Sequence, residues 1–119
     1  MITSTEVMKL IVKALDSKKA MDIKVLRTEK VTILADYFVI CTATSSTHVK
    51  SLADETDKVL TENGEPPLRK EGYGGGGWLL LDFGCVIVHI FTEEMRKFYG
   101  LERLWSDAVP VDVSSIVTD

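Results

Sequence analysis

Three glycines, Gly72, Gly74 and Gly77, have the Gly-x-Gly-x-x-Gly spacing with which many proteins bind the pyrophosphate of a dinucleotide. In such a site the glycines follow a strand and open a helix, whose N-terminal amides face the phosphates. Here the residues that follow, Trp78 to Leu81, are apolar and typical of a strand. We therefore predict a flexible connection between strands rather than a nucleotide site.

Carboxylate pairs that could hold catalytic metal ions are also missing. Nucleotidyltransferases place two carboxylates two residues apart on one strand, so that both reach the same metal ions. At that spacing Phe38 follows Asp36, and Gly84 follows Asp82, so neither segment supplies the second ligand. The sequence gives little support to a metal enzyme, and we expect no catalytic residue, no metal and no cofactor.

Serine and cysteine residues have structural explanations. Ser45 and Ser46 lack the Gly-x-Ser-x-Gly surroundings of a nucleophile elbow and are suited to capping a helix. Cys41 and Cys85 each lie within an apolar run, which indicates two buried free thiols in a reducing compartment. We expect neither a disulfide nor a zinc site.

His89 lies in the middle of an apolar segment, on the face of the predicted strand shared with Ile87 and Phe91. A partly buried histidine with an acidic hydrogen-bond partner explains it better than a binding role. Asp82, on the neighbouring strand, is the natural partner if the register brings the two together.

The aromatic and leucine residues near the C-terminus, together with Trp78, have the density of interface anchors. A short helix packed on the sheet would bury Phe98 and Leu101 in either case, so core packing explains those two equally well. For Tyr99 and Trp105 we favour an interface, with acidic side chains beside them selecting a basic partner.

Composition and charge indicate a single-domain protein and limit the kinds of partner that it can bind. The chain has 119 residues, 45% of them hydrophobic, and a formal net charge of −4. A chain of this length can form one stable hydrophobic core without disulfides or a structural metal. We expect a single cytoplasmic domain with neither a signal peptide nor a membrane partner. Residues 1–30 carry +3 and residues 31–119 carry −7, which argues against DNA and favours a basic protein surface as the partner.

The elements that position these residues follow from hydrophobic periodicity. Thr3 and Glu6 have the spacing of a capping box, and Asn63-Gly64 is a helix stop signal. The predicted order is a helix at about 4–19, strands at Ile23–Leu26 and Asp36–Cys41, a second helix ending at Asn63, strands Leu68–Glu71, Trp78–Phe83 and Val86–Phe91, and a short helix capped by Thr92. Gly84-Cys85 is predicted to form a tight hairpin turn. This order predicts one mixed β-sheet with helices packed on it, an α/β sandwich.

Four segments together resemble the ribosomal silencing factor family, also called Iojap-like. They are Asp36–Ile40, Glu71-Gly72 with Trp78–Asp82, Val88–Phe91, and Arg96–Trp105, in the order and at the spacing of the family. The resemblance covers residues 5–108 and implies a nucleotidyltransferase-like α/β fold without the catalytic carboxylates. On this basis residues 1–108 are expected to form the family domain and residues 109–119 a loosely held acidic tail.

The resemblance implies a binding function rather than an enzymatic one. Family members are expected to bind the large ribosomal subunit through ribosomal protein uL-fourteen, block joining of the small subunit, and repress translation under nutrient limitation, often as homodimers when free. The partner-contacting residues carried over by motif are Trp78, Leu80, Asp82, His89, Tyr99, Glu102 and Trp105. Two alternatives remain open: a nucleotide-binding or nucleotidyltransferase-like enzyme, and a general dimeric adaptor whose aromatic cluster serves only self-association.

Overall fold

The computed structural model describes residues 3–28, 35–72, 77–99, 109–111 and 113. Within these ranges, three helices and six strands follow one another. They are α1 (Ser4–Ser17), β1 (Met21–Arg27), β2 (Tyr37–Ala43), α2 (Ser46–Glu62), β3 (Arg69–Glu71), β4 (Trp78–Asp82), β5 (Val86–Thr92), α3 (Glu93–Tyr99) and β6 (Val109–Val111). The predicted fold class, one mixed sheet with helices packed on it, is confirmed.

All six strands belong to one sheet in the order β3-β4-β5-β2-β1-β6. The central pair, β2 and β5, is parallel, whereas the other described pairs are antiparallel. A parallel pair needs a long crossover between its strands, and here the crossover contains α2 and the strands β3 and β4. The polypeptide therefore returns to the middle of the sheet with β5, next to β2.

Side-chain hydrogen bonds determine where the two long helices begin. Thr3 and Glu6 form the predicted capping box at α1, and Ser45 Oγ accepts the amide N–H of His48 at 3.1 Å at the start of α2. Because these side chains satisfy amides that have no partner within the helix, they fix the first residue of each helix. α1 ends at Ser17, two residues before the predicted end.

α1 and α2 cover one face of the sheet and form the core with it. The buried side chains of α1 and α2 pack against alternate residues of β2, β4 and β5, including Val39, Leu81 and Val88, each fully buried. The interleaved residues of those strands face the other side of the sheet. We call this second side the open face. On β2, β5 and β4 it consists of Phe38, Ile40 and Thr42, then Ile87, His89 and Phe91, and then Trp78, Leu80 and Asp82.

The hairpin between β4 and β5 has the predicted two-residue turn. Gly84 has a φ of +85°, and the Phe83 amide donates to the Val86 carbonyl at 2.9 Å. Cys85, in the same turn, is only half-buried, and this part of the cysteine prediction is wrong. Because the turn fixes the register, Leu80 lies opposite His89 and Asp82 lies opposite Ile87.

The sixth strand is an addition that the sequence analysis does not predict. Val109–Val111 pairs with β1, with Val111 opposite Val25, and Val111 packs at the margin of the core. These three residues lie at the beginning of the segment that the sequence indicates as an acidic tail. No helix within the described ranges is long and apolar enough to cross a membrane.

Gly72 and Gly64 provide a test of how closely the backbone packs. Both have positive φ, +93° and +79°, but a Cβ on Gly72 would lie 2.5 Å from the Trp78 carbonyl oxygen, whereas one on Gly64 would meet nothing within 4 Å. Gly64→Ala should lower the free energy of unfolding by about 1 kcal/mol, the usual penalty when a residue other than glycine adopts the left-handed conformation. Gly72→Ala should cost about 3 kcal/mol or more, because the backbone must also move. Urea unfolding measures both losses, and equal losses would show that Gly72 is not sterically constrained.

Candidate functional site

Four of the seven candidate partner-contacting residues lie together on the open face. Trp78, Leu80 and Asp82 alternate along β4, and the hairpin register places His89 of β5 opposite Leu80. We call these four residues the β4–β5 surface. The sheet alone brings them together, because side chains two residues apart on a strand share a face.

The four residues of this surface differ in burial. Trp78, Leu80 and Asp82 are each half-buried, whereas His89 is only 7% exposed. A half-buried tryptophan next to a half-buried leucine combines apolar area with access to a partner, as binding anchors require. His89, opposite Leu80 on the neighbouring strand, is too buried to offer a partner much contact area, and its polar contact is with Trp78.

His89 is packed among aromatic rings. Its Nδ1 accepts the indole N–H of Trp78 at 3.4 Å, its ring lies 5.6 Å from that of Phe38, and it stacks on Phe91 at 5.9 Å with an interplanar angle of 2°. Because the indole nitrogen only donates, Nδ1 must be unprotonated, which places the proton of the neutral ring on Nε2. Burial lowers the pKa of His89 from 6.5 to about 4, so the ring is neutral at pH 7.

Asp82 is not the partner of His89, and that expectation is wrong. Its Oδ1 accepts the amide N–H of Gly84 at 2.8 Å, and its Oδ2 lies 3.6 Å from a guanidinium nitrogen of Arg69 on β3. The carboxylate therefore holds the β4–β5 turn. The hairpin register is the reason, since it places Asp82 opposite Ile87 instead of His89.

The remaining candidates come from the C-terminal part of the chain. Tyr99 is the last residue of α3, and its side chain lies outside the described part of the structure, as do Glu102 and Trp105. α3 follows β5 directly and packs on β5 and β2. Its Arg96 reaches Thr42 on the open face, so α3 shares that face with the β4–β5 surface.

Some residues of this region were missed by sequence reasoning. Phe38 and Phe91 flank His89, and Arg69 accompanies Asp82. The two phenylalanines could have been found from strand alternation, because they occupy the same face as His89 on β2 and β5. Arg69 required knowledge that β3 pairs with β4.

The glycine-rich segment does not have the context of a dinucleotide site. β4 begins directly after Gly77, so the N-terminus of a helix does not follow the glycines, as the sequence predicts. A Cβ on Gly77 would lie 2.6 Å from Cγ of Met95 in α3. This glycine therefore permits close packing of the β4 start against α3.

The two cysteine thiols are protonated by virtue of their surroundings. Burial raises the pKa of the Cys41 thiol to about 12, with a smaller opposite influence from the Arg96 guanidinium, and it also raises the pKa of Cys85. Neither thiol is therefore activated as a nucleophile at neutral pH. Among the described residues, no group of three His, Cys, Asp or Glu side chains is arranged to hold a metal ion.

The buried neutral His89 should make the fold sensitive to acid. Its pKa is lower in the folded chain than the ordinary 6.5, so the unfolded chain binds a proton first, and stability falls as the pH drops from about 6.5 to about 4. The loss over that range should be about 3 kcal/mol. Urea unfolding of the wild type and of His89→Gln at several pH values measures it. If the variant loses as much stability as the wild type between these pH values, the burial of a neutral His89 is contradicted.

Comparison with known proteins identifies the family. The family model described as "Ribosomal silencing factor during starvation" matches residues 1–119. The ribosomal silencing factor RsfS of Halalkalibacterium halodurans is 37% identical, covering 98% of this chain and 100% of the relative. That of Bacillus subtilis is 38% identical, with coverages of 90% and 91%. A mouse protein named "Mitochondrial assembly of ribosomal large subunit protein 1" is 32% identical over 82% of this chain and 44% of its own length.

A solved structure agrees with the sequence relationship. The crystal structure of a Chromobacterium violaceum protein has a TM-score of 0.86 and 35% identity, and the match covers 88% of each chain. The similarity therefore extends to the arrangement of the strands and helices as well as to the residues. The chain belongs to the ribosomal silencing factor family.

Proposed function

We propose that this protein binds the large ribosomal subunit through ribosomal protein uL-fourteen and sterically blocks joining of the small subunit, which represses translation under nutrient limitation. The open face of the sheet supports this proposal. There a half-buried tryptophan and leucine lie on the side of the sheet that also holds α3, in a chain of the ribosomal silencing factor family. Blocking of this kind requires only that the protein occupies its site on the large subunit, without catalysis or a cofactor. We propose that it takes place in the cytoplasm.

The choice of a large-subunit partner has support from the family. The members are named as ribosomal silencing factors, and the mouse relative carries assembly of the ribosomal large subunit in its name. The charge distribution is compatible with a basic ribosomal protein, because residues 31–119 carry −7. Complementary charge of this kind accelerates association and excludes wrong partners.

The seven partner-contacting residues divide into different roles. Trp78 and Leu80 offer apolar area from β4, and we assign the anchoring role at the C-terminal side to Tyr99 and Trp105. Glu102 would face a basic side chain of the partner. Asp82 contributes through the turn that it closes with Gly84 and through its charge, and His89 through the support that it gives to Trp78.

We further propose that the free protein is a homodimer. In the free protein an aromatic binding surface is in contact with water. Self-association removes this apolar area from water and is therefore favoured. If the dimer uses the same surface as the ribosome, Tyr99→Ala and Trp105→Ala should produce monomers. If the dimer uses another surface, these variants remain dimeric while losing the ribosome.

Sedimentation tests the proposal directly. The purified protein is mixed with isolated large subunits or small subunits, sedimented through sucrose, and scored by the fraction that it follows. Small subunits are then added to the complex, and the peak of joined ribosomes is compared with that of a mixture without the protein. We expect cosedimentation with large subunits only and a smaller joined peak. Failure to follow either subunit would overturn the proposal.

Two substitutions test the assigned surface. Tyr99→Ala and Trp105→Ala should each weaken binding to large subunits by about 2 kcal/mol, which is a roughly 30-fold increase in Kd, as expected for anchoring aromatic residues. Lys50→Ala is the control, because Lys50 is exposed on α2 in the helical layer on the other side of the sheet. Circular dichroism confirms that each variant is folded. An unchanged affinity in the folded double variant Tyr99→Ala/Trp105→Ala would rule out this surface.

A further inference from the structure

Arg96 connects α3 to two strands at once. Its Nη1 donates to the Asp22 carbonyl oxygen at 2.7 Å and to the Thr42 hydroxyl at 2.8 Å. Asp22 lies in the irregular first part of β1, where the register with β2 shifts between Met21 and Lys24, and its φ is +52°. The guanidinium thus joins the helix to a distorted strand end and to the neighbouring central strand.

Both acceptors suit a guanidinium donor. The Thr42 side chain is buried, with 5% exposure, so its hydroxyl needs a partner within the protein. Hydrogen bonds from a guanidinium are stronger than those from a neutral donor, and its planar group holds its N–H donors in a fixed arrangement. These bonds therefore hold α3 in one position on the sheet more firmly than apolar packing alone would.

We propose that Arg96 is a positioning residue for partner binding. It fixes α3 on β1 and β2 and thereby sets where Tyr99, three residues later on the same helix, lies relative to the β4–β5 surface. This inference rests on the proposed function, in which the two regions contact one partner. A partner that needs both regions in one arrangement binds more weakly when that arrangement is populated only part of the time.

The substitution Thr42→Val distinguishes a positioning role of Arg96 from direct contact between Arg96 and the partner. If Arg96 itself touched the partner, removing the Thr42 hydroxyl would have little effect, because Thr42 is buried beneath it. If Arg96 acts by positioning α3, Thr42→Val should weaken binding although residue 42 cannot reach the partner. Thr56→Val is a matched control, because Thr56 is also buried and its hydroxyl donates within α2, to the Leu52 carbonyl at 2.8 Å.

The first measurement uses the free protein. Hydrogen exchange of the α3 amides should become about tenfold faster in Arg96→Met and about threefold faster in Thr42→Val, because the helix detaches more often from the sheet. Exchange of the α2 amides, which lie on the other side of the sheet, should stay as in the wild type. Thr56→Val should leave α3 exchange unchanged. Unchanged α3 exchange in Arg96→Met would overturn the proposal without involving the ribosome.

The second measurement is affinity for isolated large subunits. We expect Kd to rise about tenfold for Arg96→Met, by less for Arg96→Lys, which retains the charge and one donor group, and about threefold for Thr42→Val. In the Arg96→Met background, Thr42→Val should cause no further loss, because the bond that it removes is already gone. Thr56→Val should bind as the wild type does.

The outcomes distinguish this inference from the proposed function. If the wild type binds large subunits while Arg96→Met binds equally well in its folded form, the positioning role is wrong and the proposed function stands. If Thr42→Val and Arg96→Met weaken binding additively, Arg96 contacts the partner independently and the positioning role is again wrong. If the wild type itself does not bind, the proposed function fails, whereas faster α3 exchange would still establish the attachment of the helix.

Discussion

The burial of β2 on both of its faces is the constraint on which the other elements depend. All seven residues of Tyr37–Ala43 are buried, so each face of this strand needs a cover. α1 and α2 cover one face, and on the other Phe38 and Ile40 are at most 5% exposed, with α3 packed against β2 and β5. α3 is consequently part of the fold, and its placement is a condition for keeping the centre of the sheet dry.

The same constraint explains the chemistry of the buried titratable groups. Cys41 and His89 lie on opposite faces of the sheet, and burial shifts the pKa of each toward its neutral form. Groups with such pKa values are poor nucleophiles or acids at neutral pH. These two groups at the centre of the sheet are therefore neutral and contribute to packing, and in the proposed function the direct contacts with the partner fall to less buried side chains.

Much of this arrangement could be predicted from local signals. The capping box at Thr3, the stop at Gly64 and the turn at Gly84 depend on neighbouring residues alone. The position of His89 follows from a local signal as well, since a two-residue turn at 84 and 85 places Leu80, and not Asp82, opposite it. β6 could not be found in this way, because three residues containing a proline form a strand only where β1 offers an edge. The sheet accounts for Trp78, Leu80 and His89 sharing a face. The roles expected of Tyr99 and Trp105 rest on the density of aromatic residues and on family resemblance, and that of Glu102 on its acidic charge beside them and on the resemblance.

The pairing of β1 with β6 also constrains how the chain is made. Residues 25–27 pair with residues 109–111, so this edge of β1 has no β6 to pair with until residues 109–111 have been synthesised. An open strand edge invites pairing with other nascent chains. Lys24 and Arg27 are exposed on β1, and positive charges of this kind discourage such pairing. β1 therefore carries its own protection against aggregation until β6 has been synthesised.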